Sequence, residues 1–266
     1  MPTILDEILA VKRREVADLA PRLDALRSAA RDAPPARGFA RALRREKVSG
    51  TFSPVRIIAE VKHCSPSAGV ITEPFDPADI ARRYAAAGAD AISCLTDREF
   101  FGGSIDHLRE VRAAVALPVL QKDFIIASEQ VYEARAAGAD AILLIAEVLK
   151  PYEISGLAAL AMHLGMDVLA EAHSEAALER AIACGAACVG INNRDLATFK
   201  VDLAATERLA PAVVAAGRVL VAESGIKTAA DVRRVLAAGA DAILVGEGLL
   251  KSGAIAARMA EFKEAR

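Results

Sequence analysis

The chain has 266 residues, 54% of them hydrophobic, and carries a formal net charge of -2. A general nucleic-acid binder usually carries a basic excess, so this balance argues against that class. No run of about 18 uncharged apolar residues predicts a membrane span, and acidic residues interrupt the apolar N-terminal stretch, which therefore does not resemble a signal peptide.

The first 47 residues predict a helical extension. Thr3 is suited to cap a helix, and one apolar stripe follows it at helical spacing. The stripe contains Ile4, Leu5, Ile8, Leu9, Val16 and Leu19. A linker rich in proline at 31–38 then precedes a second short helix around Phe39 and Leu43.

Such a stripe needs a partner surface, so we predict that residues 1–47 pack on a barrel domain formed by 48–266. The basic runs at 12–14 and 41–47 lie within helical patterns. We interpret both runs as solvated helix faces.

From residue 55 onward, short apolar runs typical of buried strands alternate with helical patterns. The predicted strands are 55–62, 91–96, 118–123, 141–148, 167–172, 188–193, 219–222 and 242–245. The predicted helices begin near Asp76 or Asp79, then at Ser104, Ser128, Pro151, Ser174, Asp202 and Thr228, and one more closes the chain.

A nine-residue repeat supports this count. YAAAGADAI begins at Tyr84, ARAAGADAI at Ala134 and VLAAGADAI at Val235, with a degraded copy from Ala181. In each copy a helix ends at a glycine and a strand begins three residues later. Because alternating strands and helices require parallel pairing, eight such units predict a (β/α)8 TIM barrel. The pattern G-x-G-x-x-G is missing after the first strand, which disfavours an open dinucleotide-binding sheet.

Active sites of such barrels lie at the carboxyl ends of the strands, where this sequence places polar residues. The candidates are Glu60 and Lys62 on strand 1, Lys122 on strand 3, Glu171 on strand 5, Asn192 and Arg194 at strand 6, and Glu223 and Ser224 at strand 7. A single polar strand end is commonly a solvated loop residue, but this many on one rim indicate a site. Lysines among glutamates shift one another's pKa, which suits acid–base chemistry at neutral pH.

The loops after strands 7 and 8 predict a phosphate site. Gly225 precedes the helix at Thr228, and Gly246, Glu247 and Gly248 follow the last strand. Glycines let the backbone approach an anion, and helix N-termini offer free N–H groups. The alternative is that these glycines only turn the chain.

Other polar residues are weaker candidates. The four histidines show no ligand spacing, so no metal site is expected. Cys64, Cys94, Cys184 and Cys188 show no framework spacing either, which favours reduced thiols and a cytoplasmic location. Asp123 follows Lys122 and points to the opposite face, where it is expected to pair with a helix. The loop at 100–104 is interpreted either as a mobile lid or as ordinary loop packing.

Six motifs together resemble the indole-3-glycerol-phosphate synthase family. They are IIAEVKHCSPSAGV, LPVLQKDFI, LAEAHSE, VGINNRDL, VAESGI and ILVGEGL. The resemblance covers nearly the whole chain, including the N-terminal extension. It implies closure and decarboxylation of 1-(2-carboxyphenylamino)-1-deoxyribulose 5-phosphate to indole-3-glycerol phosphate, carbon dioxide and water, without cofactor or metal. The expected partner is this sugar phosphate with an aromatic carboxylate, and the expected state is a monomer or weak homo-oligomer without nucleic acid or membrane.

By motif, the resemblance implies that Lys122 is the general acid and that Lys62 contacts the substrate's anionic groups and assists later proton transfer. It implies that Glu171 exchanges protons with the lysines and that Glu60 is a candidate base for dehydration. Which lysine drives which proton transfer stays open.

The resemblance implies orienting and binding roles for the remaining candidates, of which Asn192, Glu223 and Ser224 are counted among the catalytic residues. Asn192 and Ser224 are orienting groups and Glu223 is a ligand for substrate hydroxyls. The residues that fall where the family binds phosphate are Ser65, Gly225, Gly246 and Glu247, and Arg194 is a further binding candidate. Cys64 and Glu247 depart from the family pattern, which often has a basic residue and a serine there.

Two other functions remain open at this level. An isomerase or epimerase of a sugar phosphate needs only one or two acid–base residues, fewer than the rim of this barrel carries. A phosphate-ligand sensor would retain the phosphate site but has no need of Lys122 and Glu171. Turnover of the carboxyphenylamino substrate, detected by indole fluorescence, distinguishes all three.

Overall fold

The computed structural model describes residues 3–48, 51–66, 69–195, 200–250 and 254–265. Its centre is a closed barrel of eight parallel strands, each adjacent to the next in the chain, with the last strand paired to the first. The strands are Arg56–Val61 (β1), Ala91–Leu95 (β2), Val119–Lys122 (β3), Ala141–Ile145 (β4), Asp167–Ala172 (β5), Cys188–Asn192 (β6), Val219–Glu223 (β7) and Ala242–Val245 (β8). The predicted (β/α)8 barrel is confirmed.

Helices surround the barrel and precede it. They are Ile4–Leu19 (α1), Leu23–Asp32 (α2), Phe39–Leu43 (α3), Pro77–Ala86 (α4), Ile105–Ala114 (α5), Ser128–Ala136 (α6), Pro151–His163 (α7), Glu175–Ala183 (α8), Ala204–Ala215 (α9), Ala229–Ala237 (α10), Glu247–Leu250 (α11) and Ile255–Glu264 (α12). No described helix is long and apolar enough to cross a membrane.

Local signals placed most helix starts correctly. The side chains of Thr3, Asp76, Ser104, Ser174 and Thr228 each accept a hydrogen bond from a backbone N–H in the first turn of the helix that follows. These bonds satisfy donors that a helix leaves unpaired at its N-terminus.

The repeated aspartates form hydrogen bonds with the strands at the amino end of the barrel. In three copies of the repeat, the aspartate accepts a hydrogen bond from the first residues of the preceding strand. The bonds run from Ile57 to Asp90 (2.9 Å), from Val119 to Asp140 (2.8 Å) and from Leu220 to Asp241 (3.0 Å). The repeat therefore serves the fold, at the end opposite the polar strand ends.

Helix α3 of the N-terminal segment contacts the same amino end. Phe39 and Leu43 of α3 are fully buried against barrel-interior residues such as Ile58 and Leu120. The backbone N–H of Ala40 donates to Asp167 of β5 over 2.9 Å. These contacts are consistent with an extension packed on the barrel, whose boundary at residue 47 stays a prediction.

Three details differ from the sequence expectations. Lys12 was expected on a solvated face, but its side chain is 1% exposed and lies among carboxylates. Helix α2 was not predicted. Strand β4 ends at Ile145, earlier than expected, because the chain turns there and the N–H of Val148 donates to the Ile145 carbonyl.

Candidate active site

A cavity of about 630 Å³ opens at the carboxyl ends of the strands. All the candidate residues from the sequence line it. They are Glu60, Lys62, Ser65, Lys122, Glu171, Asn192, Arg194, Glu223, Ser224, Gly225, Gly246 and Glu247. The barrel therefore gathers them in one place, while their individual roles stay predictions.

Lys122 lies between two glutamates at the base of this site. Its Nζ atom is 3.0 Å from Oε2 of Glu171 on β5 and 3.5 Å from Oε2 of Glu223 on β7. Asn192 of β6 donates from Nδ2 to Oε1 of Glu171 over 3.1 Å. Strands β3, β5, β6 and β7 thus each contribute one side chain to a single group of ion pairs and hydrogen bonds, which fixes the position of the lysine.

Burial and the neighbouring charges move the pKa values of Lys122, Glu171 and Glu223 away from their ordinary values. Burial alone would lower the pKa of Lys122, but the carboxylates of Glu171 and Glu223 raise it above its usual value. Burial would likewise raise the pKa of Glu171, but Lys122 and the hydrogen bond from Asn192 lower it. Burial and the neighbouring Glu171 raise the pKa of Glu223 to about 8. At neutral pH the site therefore holds an ammonium, a carboxylate and a neutral carboxylic acid side by side.

A second lysine–glutamate pair lies on β1 and the residue that follows it. Nζ of Lys62 donates to Oε2 of Glu60 over 2.5 Å. Glu60 also lies against Gly246: a Cβ added to that glycine would be 2.6 Å from Oε2 of Glu60. Position 246, directly after β8, therefore requires a glycine, because the Glu60 carboxylate occupies the space of a larger side chain.

The glycine-bearing side of the cavity has unusual backbone geometry. Ser224, directly after β7, has φ 61°, and Gly225 has φ 81°. Among the described residues Ser224 is the one non-glycine residue with positive φ. Such strain clusters at functional sites, and it bends the chain between β7 and the helix at Thr228.

Arg194 and Ser65 lie at the outer part of the cavity. The backbone N–H of Arg194 donates to Oδ1 of Asn192 over 3.0 Å, and Arg194 pairs with Val201 in a short bridge. Ser65 lies in a two-residue ribbon with Gly69. Both residues therefore belong to loops that border the strand ends.

One wall of the cavity is apolar, and the sequence analysis largely missed it. The wall residues lie on β2 and β4 or in the loops after β2 and β3 and are Leu95, Phe101, Phe124, Leu143 and Ile145. The rings of Phe101 and Phe124 lie 6.3 Å apart. Phe124 directly follows Lys122 and Asp123 in the sequence. Its place just beyond the end of a strand could have indicated that it lines the active site. An aromatic, apolar wall opposite charged groups suits a ligand with an aromatic ring.

The loop after β2 is held by Asp97. Its Oδ1 atom accepts hydrogen bonds from the N–H groups of Phe100 (2.8 Å) and Phe101 (3.1 Å). A Cβ at Gly103 would lie 2.5 Å from the Leu95 carbonyl oxygen, so the loop packs closely on the strand end. These contacts describe loop packing and leave the lid interpretation a prediction.

Asp123 faces away from the cavity's lysine, as its place on the strand predicted. Its Oδ1 atom lies 2.8 Å from Nζ of Lys12 on α1. The expected pairing of Asp123 with a helix is confirmed.

The histidines are dispersed. His63 stacks on Phe75, which contacts His107 edge-on, and His163 is exposed on α7. His173 lies near Glu171 and Glu147. No described group of three or more His, Cys, Asp or Glu residues has the arrangement of a metal site.

Comparisons with known proteins identify the relatives of this chain. The protein-family model described as indole-3-glycerol phosphate synthase matches residues 5–262. A protein of that name from Chloroherpeton thalassium is 48% identical over 96% of this chain and 97% of its own. Another from Polaromonas naphthalenivorans is 49% identical over 98% of both chains.

A solved structure shares only the fold. A mandelate oxidase mutant with a monooxide FMN adduct matches with a TM-score of 0.62 and 17% identity, covering 91% of this chain and 84% of that chain. At this identity the likeness supports the barrel architecture alone.

Proposed function

The chain belongs to the indole-3-glycerol phosphate synthase family, and from that premise we propose how its residues carry out the reaction of this carboxy-lyase in tryptophan biosynthesis. The reaction converts 1-(2-carboxyphenylamino)-1-deoxyribulose 5-phosphate to indole-3-glycerol phosphate, carbon dioxide and water. It needs a carbon–carbon bond to form, then carbon dioxide to leave the carboxyl-bearing ring carbon, then water to be lost as a hydroxyl and a proton.

The observation that carries the assignment of roles is the position of Lys122 between Glu171 and Glu223. When the carboxyl-bearing ring carbon attacks the ribulose carbonyl, negative charge develops on the carbonyl oxygen. The ammonium of Lys122 stabilises that charge and gives its proton to the oxygen, which becomes a hydroxyl.

Glu171 and Glu223 take complementary parts in this step. Glu171 is held ionised and orients Lys122 over 3.0 Å. Glu223 retains a proton near neutral pH because burial and Glu171 raise its pKa. Its carboxyl group lies 3.5 Å from Nζ, so it is placed to return a proton to the lysine, or to donate to a substrate hydroxyl.

The apolar wall serves the decarboxylation. Phe101, Phe124 and Leu95 exclude water from the aromatic ring, so the departing carboxylate loses its hydration there. Carbon dioxide leaves from the ring carbon that has formed the new bond, and the electrons of the broken bond restore the aromatic ring.

Glu60 and Lys62 supply the groups for dehydration. The hydroxyl formed in the first step leaves with a proton from an acid, and a base removes one proton from the new five-membered ring. The 2.5 Å contact places an ammonium and a carboxylate together on the same strand end, which suits such a pair of transfers. Asn192 and Ser224 orient the groups around the substrate.

The phosphate lies against the glycine-bearing loops. Gly225, Gly246, Glu247 and Ser65 line this part of the cavity, and the helices after β7 and β8 begin beside it. Backbone N–H groups at helix N-termini favour an anion, and Arg194 adds a cation at the border of the cavity.

The remaining parts of the proposal rest on the sequence. They are residues 1–47 as an extension of a barrel domain at 48–266, a cytoplasmic location, and a monomer or weak homo-oligomer without nucleic-acid or membrane partners. The small-molecule phosphate substrate is common to the family.

The test is direct. The purified protein is incubated with the carboxyphenylamino-deoxyribulose phosphate, and formation of indole-3-glycerol phosphate is followed by its fluorescence. The assigned roles require that Lys122→Met abolish most of this signal in a folded protein. Full signal from that variant would contradict them.

A further inference from the structure

His173 lies between two carboxylates behind the active site. Its Nε2 atom is 3.7 Å from Oε1 of Glu171, and its Nδ1 atom is 3.2 Å from Oε2 of Glu147. Its side chain is 11% exposed, and His173 is not among the described residues that line the cavity. The imidazole therefore reaches the chemistry only through Glu171.

Glu147 holds this histidine by its backbone as well as by its ring. Oε1 of Glu147 accepts hydrogen bonds from the N–H of His173 (2.7 Å) and from the N–H of Ser174 (3.2 Å). Glu147 follows β4 and His173 follows β5, so the carboxylate joins two neighbouring strand ends. The main chain at His173 is therefore held by hydrogen bonds, and each ring nitrogen faces a carboxylate oxygen at 3.2 Å or 3.7 Å.

Glu171 has a separate neighbour for each of its oxygen atoms. Oε2 contacts Lys122 at 3.0 Å, while Oε1 is shared by Asn192 and His173. His173 and Glu171 are two residues apart, so their side chains lie on the same side of the strand. A cation at His173 thus approaches the carboxylate from the side opposite Lys122.

The surrounding charges favour the imidazolium form. Burial disfavours it, but the hydrogen bond with Glu147 and the charges of Glu171, Glu147 and Glu223 together raise the pKa of His173 above its usual value. The nearby cation of helix α8, Arg180, donates to the Ala146 carbonyl oxygen over 2.9 Å.

We propose that His173, held by Glu147, is a positioning residue for the reaction: its ring faces Oε1 of Glu171 and fixes that carboxylate, so that Oε2 orients Lys122. The inference deepens the proposed function and rests on the role given there to Glu171. It assigns His173 and Glu147 to the enzyme's proton-transfer machinery without contact to substrate.

The first test is the steady-state kinetics of His173→Asn. Without the ring beside Oε1, Glu171 is less well fixed, and Oε2 holds Lys122 less well in place. We expect kcat to fall about tenfold with KM little altered, because Lys122 acts chiefly in the transition state. His163→Asn makes the same substitution on the exposed face of α7 and should match the unsubstituted enzyme. A His173→Asn variant with unchanged kcat and only a lower Tm overturns the proposal.

The second test needs no turnover, so it is readable even if the proposed reaction fails. The chain has four histidines, and the imidazole signal of His173 is identified in NMR spectra by its disappearance in His173→Asn. We expect it to titrate above the ordinary histidine value and to titrate lower in Glu171→Gln, since the two groups are linked. A titration unaffected by Glu171→Gln overturns the proposal.

The variant Glu147→Gln tests whether Glu147 acts through His173. If it does, Glu147→Gln lowers kcat as His173→Asn does, and the double variant behaves as His173→Asn alone. Additive losses of kcat would show that Glu147 acts on the site independently, which contradicts the arrangement proposed.

Discussion

The ammonium nitrogen of Lys12 lies 2.8 Å from Oδ1 of Asp123, so the N-terminal helix is fixed to the residue that follows Lys122. The same nitrogen lies 2.9 Å from Oδ2 of Asp97 and 2.8 Å from Oε2 of Glu15. Burial opposes the charge of Lys12, but the two aspartates raise its pKa. Helix α1 is thus bonded to two strand ends of the active-site rim.

Lys12→Met should strongly destabilise the protein. It leaves Asp97 and Asp123 as buried carboxylates without their cation, and breaking such a cluster costs about 3–5 kcal/mol of the free energy of unfolding. Urea denaturation measures this loss. Arg13→Met, at the exposed neighbouring position, is the matched control and should change stability by less than about 0.5 kcal/mol. Equal stabilities of the two variants would contradict the importance of the cluster.

Features encoded by short stretches of sequence could be predicted, whereas contacts between residues far apart in the chain could not. The strands follow from periodicity, the caps at Ser104 and Thr228 follow from the residue type that begins each helix, and the gathering of Lys122 and Glu171 follows from their places at strand ends. Lys12 was misread because its run of basic residues looks solvated, while its partners Asp97 and Asp123 lie in distant loops. Only the closed barrel brings them to the helix.

The contact between Gly246 and Glu60 could not be predicted for the same reason. Strands β8 and β1 are at opposite ends of the barrel sequence and become neighbours only when the sheet closes. The motifs indicated a glycine suited to phosphate, but not that a carboxylate from β1 occupies the space where a Cβ would stand.

Gly246→Ala should therefore reduce kcat as well as raise KM. Its methyl group would approach Oε2 of Glu60 to 2.6 Å, which displaces a group proposed for dehydration. Steady-state kinetics with the carboxyphenylamino substrate measure both constants. A rise in KM with unchanged kcat would show that Glu60 tolerates the shift.

Gly248→Leu is the sharper test of the phosphate site. A Cβ at Gly248 has ordinary contacts, 3.7 Å to Val245 and 3.8 Å to the Ile226 carbonyl oxygen, so the longer side chain enters the cavity without moving Glu60. We expect KM to rise about tenfold or more with kcat nearly unchanged, because the phosphate is held alike in ground and transition states. Weaker competition by inorganic phosphate should accompany it, with Gly248→Ala intermediate. An unchanged KM would place the phosphate elsewhere.

Glu223 should make stability fall as pH rises. Its folded pKa, about 8, exceeds the ordinary value of 4.5 because of burial and Glu171. Between these values the folded state holds a proton that the unfolded state has released, so this contribution is complete below about pH 4.5 and is lost by about pH 8. Glu223→Gln, which cannot ionise, should gain about 1–3 kcal/mol relative to the unsubstituted protein between pH 5 and 8, measured by urea denaturation. The exposed Glu179→Gln should show no such gain, and a Glu223→Gln difference independent of pH would contradict the raised pKa.

Lys122→Met distinguishes a catalytic from a purely structural lysine. If Lys122 only paired with Glu171 and Glu223, its loss would chiefly destabilise the fold and spare turnover. The proton held by Glu223 lets the two carboxyl groups share one charge, so we expect a smaller loss of stability than in Lys12→Met. If Lys122 protonates the carbonyl oxygen, kcat should fall by about 10²–10⁴-fold with KM little altered, because the lost interaction belongs chiefly to the transition state.

Fluorescence of the product and thermal melting are measured on the same Lys122→Met sample, with Lys150→Met, 68% exposed after β4, as the matched control. Adding Glu171→Gln to Lys122→Met removes the charge left without its partner, so it should recover part of the lost Tm. It should not recover turnover, because no ammonium then faces the carbonyl oxygen. A stable Lys122→Met with near-normal kcat would remove the lysine from the mechanism, and the roles of Glu171 and His173 that depend on it would have to be reassigned.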